Sequence, residues 1–175
     1  LQSKSLFELF PSEFTEGKKN MLINGLVWMG EEQFMKTQIE EKLAQGFSCI
    51  KLKIGAIDFE KELGLLRFIR QNFNAKTIEI RVDANGAFNP SEALYKLNQL
   101  VEFELHSIEQ PIKDNQLQEM KLLCQQTPFP IALDEELIGV FGIENKRKLL
   151  EEIQPQYIIL KPSLVGGFKG TLEWI

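Results

Sequence analysis

"SCIKLKIG", residues 48–55, combines the apolar run of a buried strand with two lysines. Lys51 and Lys53 lie two residues apart, so both side chains point to the same face of an extended chain. The alternating isoleucines and leucine point to the other face. Burying two like charges side by side is costly. The lysine face is therefore expected to meet groups that compensate both charges.

Apolar stretches of the same kind recur along the chain, and segments with helical spacing separate them. Some of these segments carry helix end signals, such as Asp58 and Asn89 as N-caps, Pro90 at a first helical position and Gly46 as a stop. Strand and helix in regular alternation predict parallel β/α units. The predicted strands cover residues 21–29, 48–54, 77–84, 104–110, 129–135 and 156–162.

One charged residue falls at the C-terminal end of each predicted strand from the second onward. Successive members of the set are 25 to 30 residues apart, and they are Lys53, Asp83, Glu109, Asp134 and Lys161. Strands with polar residues toward a central axis and apolar residues toward covering helices favour an α/β fold, a TIM-type (β/α) barrel. In such barrels the chemistry lies at the C-terminal ends of the strands. Taken singly, the aspartates could be caps and the glutamate could pair on the surface, but five residues in register favour a functional site.

Three carboxylates at one barrel mouth, without histidine or cysteine, favour Mg²⁺, with Mn²⁺ as a possible substitute. Lys53 and Lys161 would approach a bound substrate from opposite faces, because the second and sixth strands of a closed barrel stand half a turn apart. A metal ion that holds a substrate carboxylate stabilises an enediolate, and a lysine with a lowered pKa then serves as the base. Lys51 would lower that pKa by like-charge repulsion.

Five short motifs resemble the enolase superfamily, and in particular its muconate-lactonizing subgroup, over about residues 21–170. They are "KLK" at 51–53, "DAN" at 83–85, "EQP" at 109–111, "DE" at 134–135 and "LKP" at 160–162. Within the subgroup, residues 9–18, 23–30 and 159–168 are most similar to the o-succinylbenzoate synthase family. This resemblance implies a carbon-oxygen lyase of menaquinone biosynthesis that dehydrates a cyclohexadiene carboxylate.

The resemblance also implies roles for the charged set. Asp83, Glu109 and Asp134 would ligate Mg²⁺. Lys53 would take the α-proton and then, as conjugate acid, assist loss of the hydroxyl from the same face. Lys161 would stabilise the enediolate as a cation.

Three further residues are candidates for substrate binding. Asn85 would lie beside the substrate or support the groups that do, although side-chain packing explains it equally well. Gly166 and Gly167 follow the sixth strand in a loop that borders the substrate in the family, where an ordinary helix-entry turn is equally consistent with the sequence.

The chain departs from the family pattern in its extent. We expect residues 1–20 to lead into the barrel and residues 21–175 to form a partial barrel of about six strands. A capping domain and strands seven and eight have no counterpart in the sequence, and a closed barrel typically takes about 250 residues. We therefore expect little or no turnover from these 175 residues by themselves.

The rival functions share the same charged set. An N-acylamino acid racemase, a dipeptide epimerase and a muconate-type cycloisomerase of the same subgroup all use it, and a non-catalytic barrel is the alternative of a different class. The resemblance implies a small-molecule carboxylate as the substrate, and bulk properties disfavour other classes of partner. The net charge of −5 disfavours nucleic acid, and neither a membrane span nor a signal-peptide pattern is found. Cys49 and Cys124 have no metal spacing and suggest free thiols in the cytoplasm, whereas the oligomeric state is left open.

Overall fold

Six parallel strands stand side by side in their sequence order in the computed structural model, which describes residues 4–175. A helix follows each strand, so the predicted succession of β/α units is confirmed. The strands are β1 (Gly25–Val27), β2 (Cys49–Lys53), β3 (Glu79–Asp83), β4 (Ser107–Glu109), β5 (Ile131–Leu133) and β6 (Tyr157–Ile158). The helices are α1 (Leu6–Leu9), α2 (Glu32–Ala44), α3 (Phe59–Asn72), α4 (Pro90–Leu100), α5 (Leu117–Gln126), α6 (Ile143–Ile153) and α7 (Gly167–Leu172), with 3₁₀ turns at Val101–Phe103 and Glu135–Leu137.

The strands are shorter than the sequence predicts, and backbone conformation explains the clearest case. The predicted strand over 104–110 reduces to the three residues of β4. Gln110, which directly follows β4, and Glu104, three residues before it, have φ angles of +40° and +48°. A left-handed residue turns the backbone out of the extended conformation, so the regular strand ends within these two positions.

Local sequence signals correctly predicted the N-terminal ends of α3 and α4. The Asp58 side chain caps α3 by accepting hydrogen bonds from the backbone N–H groups of Glu60 and Lys61. The Asn89 side chain accepts from the Ser91 N–H, with Pro90 at the first position of α4. These caps supply partners for N–H groups that have none within the helix.

The sheet separates an apolar face from a polar one. On β2 and β3 the fully buried apolar residues are Ile50, Leu52, Ile80 and Val82, which belong to the core shared with the helices. The alternate residues are polar or cysteine, and all but the fully buried Asp83 are only partly covered. The predicted division between a helix-facing and an axis-facing side is therefore confirmed. In residues 4–175 no helix is both long and apolar enough to cross a membrane.

The C-terminal segment is attached to the barrel by a buried lysine of α6. Lys146 is 1% exposed, and its ammonium donates to the Gly170 carbonyl at 2.7 Å and to the Glu173 carboxylate at 2.9 Å. The same ammonium lies 5.4 Å from the ring centre of Trp174. A buried ammonium needs such partners. Lys146 thus connects α6 to the end of α7 and to the tryptophan that follows it.

We expect Lys146→Met to lower the free energy of unfolding by about 1 to 3 kcal/mol, because the substitution leaves the Gly170 carbonyl and the Glu173 carboxylate without their donor. Urea denaturation measures this change. Lys148→Met is the matched control, because Lys148 is exposed on the same helix, and its effect should stay within about 0.5 kcal/mol. Equal effects of the two substitutions would show that the buried ammonium does not hold the segment.

Candidate active site

Three buried carboxylates lie at the C-terminal ends of adjacent strands. Asp83 ends β3 and Glu109 ends β4, and the two are direct partners in the parallel register. Asp134 follows β5 by one residue. Their exposures are 0%, 4% and 1%, respectively. The parallel order of the strands therefore places at one end of the sheet the three carboxylates that the sequence carries on separate β/α units.

The two lysines of the predicted set, and Lys51 beside them, are paired with these carboxylates. Lys53 donates to Asp83 at 2.6 Å. Lys51 donates to Glu109 at 2.5 Å and lies 3.0 Å from Asp83. Lys161 donates to Asp134 on the far side of the row. The charge that made "SCIKLKIG" costly to bury is compensated by carboxylates of the next two strands.

Burial acts to raise the pKa values of Asp83 and Glu109, and hydrogen bonds from the lysines act to lower them. Burial raises the pKa of Glu109 to about 7, the hydrogen bond from Lys51 opposes this rise, and the nearby negative charge of Asp83 adds to it. Burial would likewise raise the pKa of Asp83, but hydrogen bonds led by that from Lys53 hold it below its ordinary value. Two neighbouring carboxylates thus differ in their tendency to hold a proton.

The neighbouring carboxylates in turn raise the pKa of two of the lysines. Burial favours the neutral amine of Lys51, but the hydrogen bond and charge of Glu109, aided by Asp83, outweigh it and raise the pKa of Lys51. Burial is likewise outweighed at Lys161, whose pKa is raised by the hydrogen bond and charge of Asp134. Lys51 is therefore held as a cation between two carboxylates, and its expected role of tuning Lys53 stays a prediction.

The donor set fits a divalent metal ion, although the carboxylates are turned toward lysines. Within residues 4–175, no three His, Cys, Asp or Glu side chains converge closely enough to hold a metal. Glu109 nevertheless carries a buried Oε1 without a hydrogen-bond partner in this part of the chain. A buried carboxylate oxygen of this kind requires a cation or a donor. Oxygen-only donors around it suit Mg²⁺ or Mn²⁺.

The buried side chain of Gln110 binds several backbone groups around the site, a role that the sequence did not reveal. We call this side chain the hub. Its Oε1 accepts from the backbone N–H groups of Asp134 at 3.0 Å and Glu136 at 3.3 Å. Its Nε2 donates to the Ile112 carbonyl at 3.1 Å. The side chain is fully buried and directly follows Glu109. One amide therefore holds the end of β5, where Asp134 lies, against the end of β4.

The loop after Lys53 is held by a second buried side chain that sequence reasoning missed. Glu62 of α3 is 2% exposed and accepts from the Gly55 N–H at 2.6 Å. Gly55 has φ of +92°, and a Cβ there would lie 2.4 Å from the Cβ of Ala87. Only glycine fits this contact between the loops that follow β2 and β3.

The three candidates for substrate binding lie in two different parts of the structure. Asn85 lies within the charged set, where its side chain contacts Lys53 at 2.7 Å and Glu135 at 2.8 Å. Gly166 and Gly167 form the turn that enters α7, with φ angles of +97° and +68°. This position agrees with the helix-entry alternative, and contact of either glycine with a substrate stays a prediction.

The chain belongs to the enolase C-terminal domain-like family, whose model matches residues 35–175. The resemblance inferred from the motifs is therefore confirmed, and the six-stranded sheet is part of the TIM-type barrel of this superfamily.

Among individual proteins, the chain is 58% identical over 168 residues to the o-succinylbenzoate synthase of Desulfotalea psychrophila, covering 96% of this chain and 45% of that protein. A crystal structure of MenC from the same organism superposes with a TM-score of 0.86 at 54% identity, covering 97% of this chain and 46% of that one. The hydrophobic dipeptide epimerase of Enterococcus faecalis is 26% identical over 90% of this chain and 43% of its own length. The chain thus spans about half the length of the curated relatives it matches.

Replacing Gln110 by Met should lower the free energy of unfolding by about 2 to 4 kcal/mol, because it leaves the N–H groups of Asp134 and Glu136 buried without an acceptor. Guanidinium denaturation measures the loss. Gln125→Met on the exposed side of α5 is the control and should change stability by less than about 0.5 kcal/mol. A Gln110→Met protein as stable as the control protein would contradict the role of the hub.

A pH dependence follows from Glu62. Burial raises the pKa of this carboxyl above its ordinary value, and the Gly55 and Ile57 N–H groups oppose the rise. A raised native pKa stabilises the fold below the unfolded pKa, and that stabilisation is lost as pH rises through the native pKa. Glu62→Gln keeps an acceptor for Gly55 but carries no charge. Unfolding measured between about pH 4 and pH 8 should therefore favour E62Q over the wild type progressively as pH rises.

Glu60→Gln is the control for this titration, since Glu60 is exposed on the same helix. Its stability difference from the wild type should change little over the range in which E62Q gains. If the difference in the free energy of unfolding between E62Q and the wild type stays constant with pH, the ionisation of buried Glu62 does not destabilise the fold.

Proposed function

We propose that this chain carries the catalytic residues of a Mg²⁺-dependent o-succinylbenzoate synthase. The reaction is the syn-dehydration of 2-succinyl-6-hydroxy-2,4-cyclohexadiene-1-carboxylate to o-succinylbenzoate in menaquinone biosynthesis. The observation that carries the proposal is the row of three buried carboxylates with Lys53 on one side and Lys161 on the other. The 58% identity to the Desulfotalea psychrophila enzyme supports this substrate over those of the other activities of the subgroup.

Asp83, Glu109 and Asp134 would hold the metal ion, Mg²⁺ or in its place Mn²⁺. When bound, this cation stabilises negative charge on a substrate carboxylate and so acidifies the adjacent carbon. The support from this chain is the all-oxygen donor set and the buried Oε1 of Glu109. Lys51 and Lys161, which pair with these carboxylates, would then contribute positive charge to the same anionic substrate.

Lys53 is the proposed acid–base group. It removes the proton from the carbon next to the substrate carboxylate, and the resulting ammonium returns the proton to the departing hydroxyl. The C–H and C–O bonds break on the same face, and water and an aromatic ring are formed. A single lysine therefore accounts for both proton transfers. Lys161 stays protonated and stabilises the developing negative charge from the other end of the carboxylate row.

The substrate is accordingly a small carboxylate, and the reaction belongs to the cytoplasm. Support for a reducing compartment comes from Cys49 and Cys124, which are both free thiols. A racemase or epimerase is less well supported, since the chain is 34% identical to the N-succinylamino acid racemase of Thermus thermophilus and 26% identical to the epimerase of Enterococcus faecalis. Such an enzyme would also require Lys161 to exchange a proton with substrate.

A chimera tests the proposal in a complete barrel. These 175 residues replace the matching segment of the Desulfotalea psychrophila synthase, and formation of o-succinylbenzoate is followed with Mg²⁺, with Mn²⁺ and with EDTA. We expect metal-dependent dehydration by the chimera and little turnover by the 175 residues alone. Lys53→Ala should lower kcat by about 10²- to 10⁴-fold, the usual contribution of a general base.

Lys76→Ala is the matched control, since Lys76 is exposed just before β3, and it should leave kcat unchanged. If the chimera with Lys53→Ala still dehydrates the substrate at the unsubstituted rate, Lys53 is not the base. A chimera that epimerises N-acylamino acids or dipeptides in deuterated water but forms no o-succinylbenzoate would replace the proposed reaction by its rival.

A further inference from the structure

We propose that Asn85 and Glu135 form a positioning relay that holds the Lys53 amine in place. The inference rests on the proposed role of Lys53 as the base. The relay joins three strand ends, because Lys53 ends β2, Asn85 follows β3 by two residues and Glu135 follows β5 by two residues. Neither Asn85 nor Glu135 is assigned contact with the substrate in this proposal.

The chemistry of the neighbours dictates which way the Asn85 amide faces. The Lys53 ammonium can only donate hydrogen bonds, and the Glu135 carboxylate can only accept them. The carbonyl Oδ1 of Asn85 therefore faces Lys53 at 2.7 Å, and the Nδ2 faces Glu135 Oε1 at 2.8 Å. A flipped amide would set donor against donor and acceptor against acceptor. Glu135 thus fixes the orientation that Lys53 requires.

The backbone conformation at Asn85 and at Glu135 places both side chains of the relay. The Asn85 backbone has φ of +43°, a left-handed conformation that asparagine tolerates better than most residues. Its N–H also donates to Asp83 Oδ1 at 3.2 Å. Glu135 begins the 3₁₀ turn Glu135–Leu137, and among the described residues its carboxylate receives one side-chain hydrogen bond, from Asn85.

The relay supplies Lys53 with a second acceptor. Two positions of the Nζ nitrogen point at Asp83 Oδ2 and Asn85 Oδ1, at 2.6 and 2.7 Å. The remaining tetrahedral position of the nitrogen is left for the substrate. Without Asn85, a single contact with Asp83 would leave the amine free to rotate about its Cε–Nζ axis and to shift sideways. Misplacement of a reacting group by about 1 Å can lower the rate by about 10²-fold.

The primary test measures the order of the Lys53 side chain in the 175-residue protein. Relaxation of ¹³C-labelled lysine Cε groups gives an order parameter for Lys53, whose signal is assigned by its loss in Lys53→Arg. Asn85→Gly removes the amide and suits the left-handed backbone. It should lower the order parameter from the wild-type value to below about 0.6. Glu135→Ala should lower it less, and Glu135→Gln, which retains an acceptor for Asn85, should keep the wild-type value.

The relay also predicts the result for the double variant Asn85→Gly with Glu135→Ala. If Glu135 acts through Asn85, adding Glu135→Ala to Asn85→Gly changes nothing more, so the two effects are not additive. Asn89→Ala is the control for general destabilisation, because it removes the cap of α4. It should leave the Lys53 signal unchanged. An additive double variant, or a loss of order in Asn89→Ala equal to that in Asn85→Gly, would overturn the relay.

Kinetics of the chimera separate this inference from the proposed function. Asn85→Gly should lower kcat by about 10- to 100-fold with KM and Mn²⁺ affinity unchanged, since it displaces the base without removing a metal ligand. If the unsubstituted chimera fails to dehydrate the substrate, the proposed function fails, and the order parameters still decide the relay. If it dehydrates normally while Asn85→Gly keeps both wild-type order and wild-type kcat, the relay alone is wrong.

Discussion

Three carboxylates buried at one end of a parallel sheet cannot remain charged unless cations lie beside them, because an isolated charge is too costly to remove from water. Asp83 and Glu109 meet this constraint through Lys53 and Lys51, and Asp134 meets it through Lys161. Lys51 and Lys53, whose side chains are largely buried, face the same constraint in reverse. These two lysines and the carboxylates beside them therefore tolerate burial only together. The same requirement explains why a divalent cation could take over part of the compensation, with the lysines then free to act on an anionic substrate.

Precise placement of the charged groups depends on neutral amides and on a carboxylate outside the row. Gln110 holds the backbone at Asp134, and Glu62 holds the loop that begins after Lys53. Asn85 links Lys53 to the end of β5 through Glu135. Gln110 and Asn85 each bind groups from a different β/α unit, whereas Glu62 connects the loop and the helix of its own unit. A site assembled from separate strand ends acquires its rigidity from such cross-connections rather than from any one strand.

Local sequence signals were sufficient wherever the physical cause is itself local. The caps Asp58 and Asn89 act within one turn, and the alternation around Ile50 reflects the period of an extended chain. Lys146 shows where such reasoning stops. It begins the short basic run at residues 146–148 and resembles a surface lysine in sequence, yet its partners come from the segment after β6. Glu135 and Gln110 likewise lie inside recognisable motifs, but their hydrogen-bond partners are distant in sequence.

The sequence by itself determined the order of the β/α units, the face of each strand that meets the helices and the identity of the charged residues at the strand ends. These follow from periodicities and caps that span a few residues. The tertiary structure decided which lysine pairs with which carboxylate, since strand register sets Lys53 level with Asp83 and Asp83 level with Glu109. It also decided that Asn85 faces Lys53 and Glu135. Hydrogen bonds between groups 30 to 50 or more residues apart depend on distances that only the folded sheet defines.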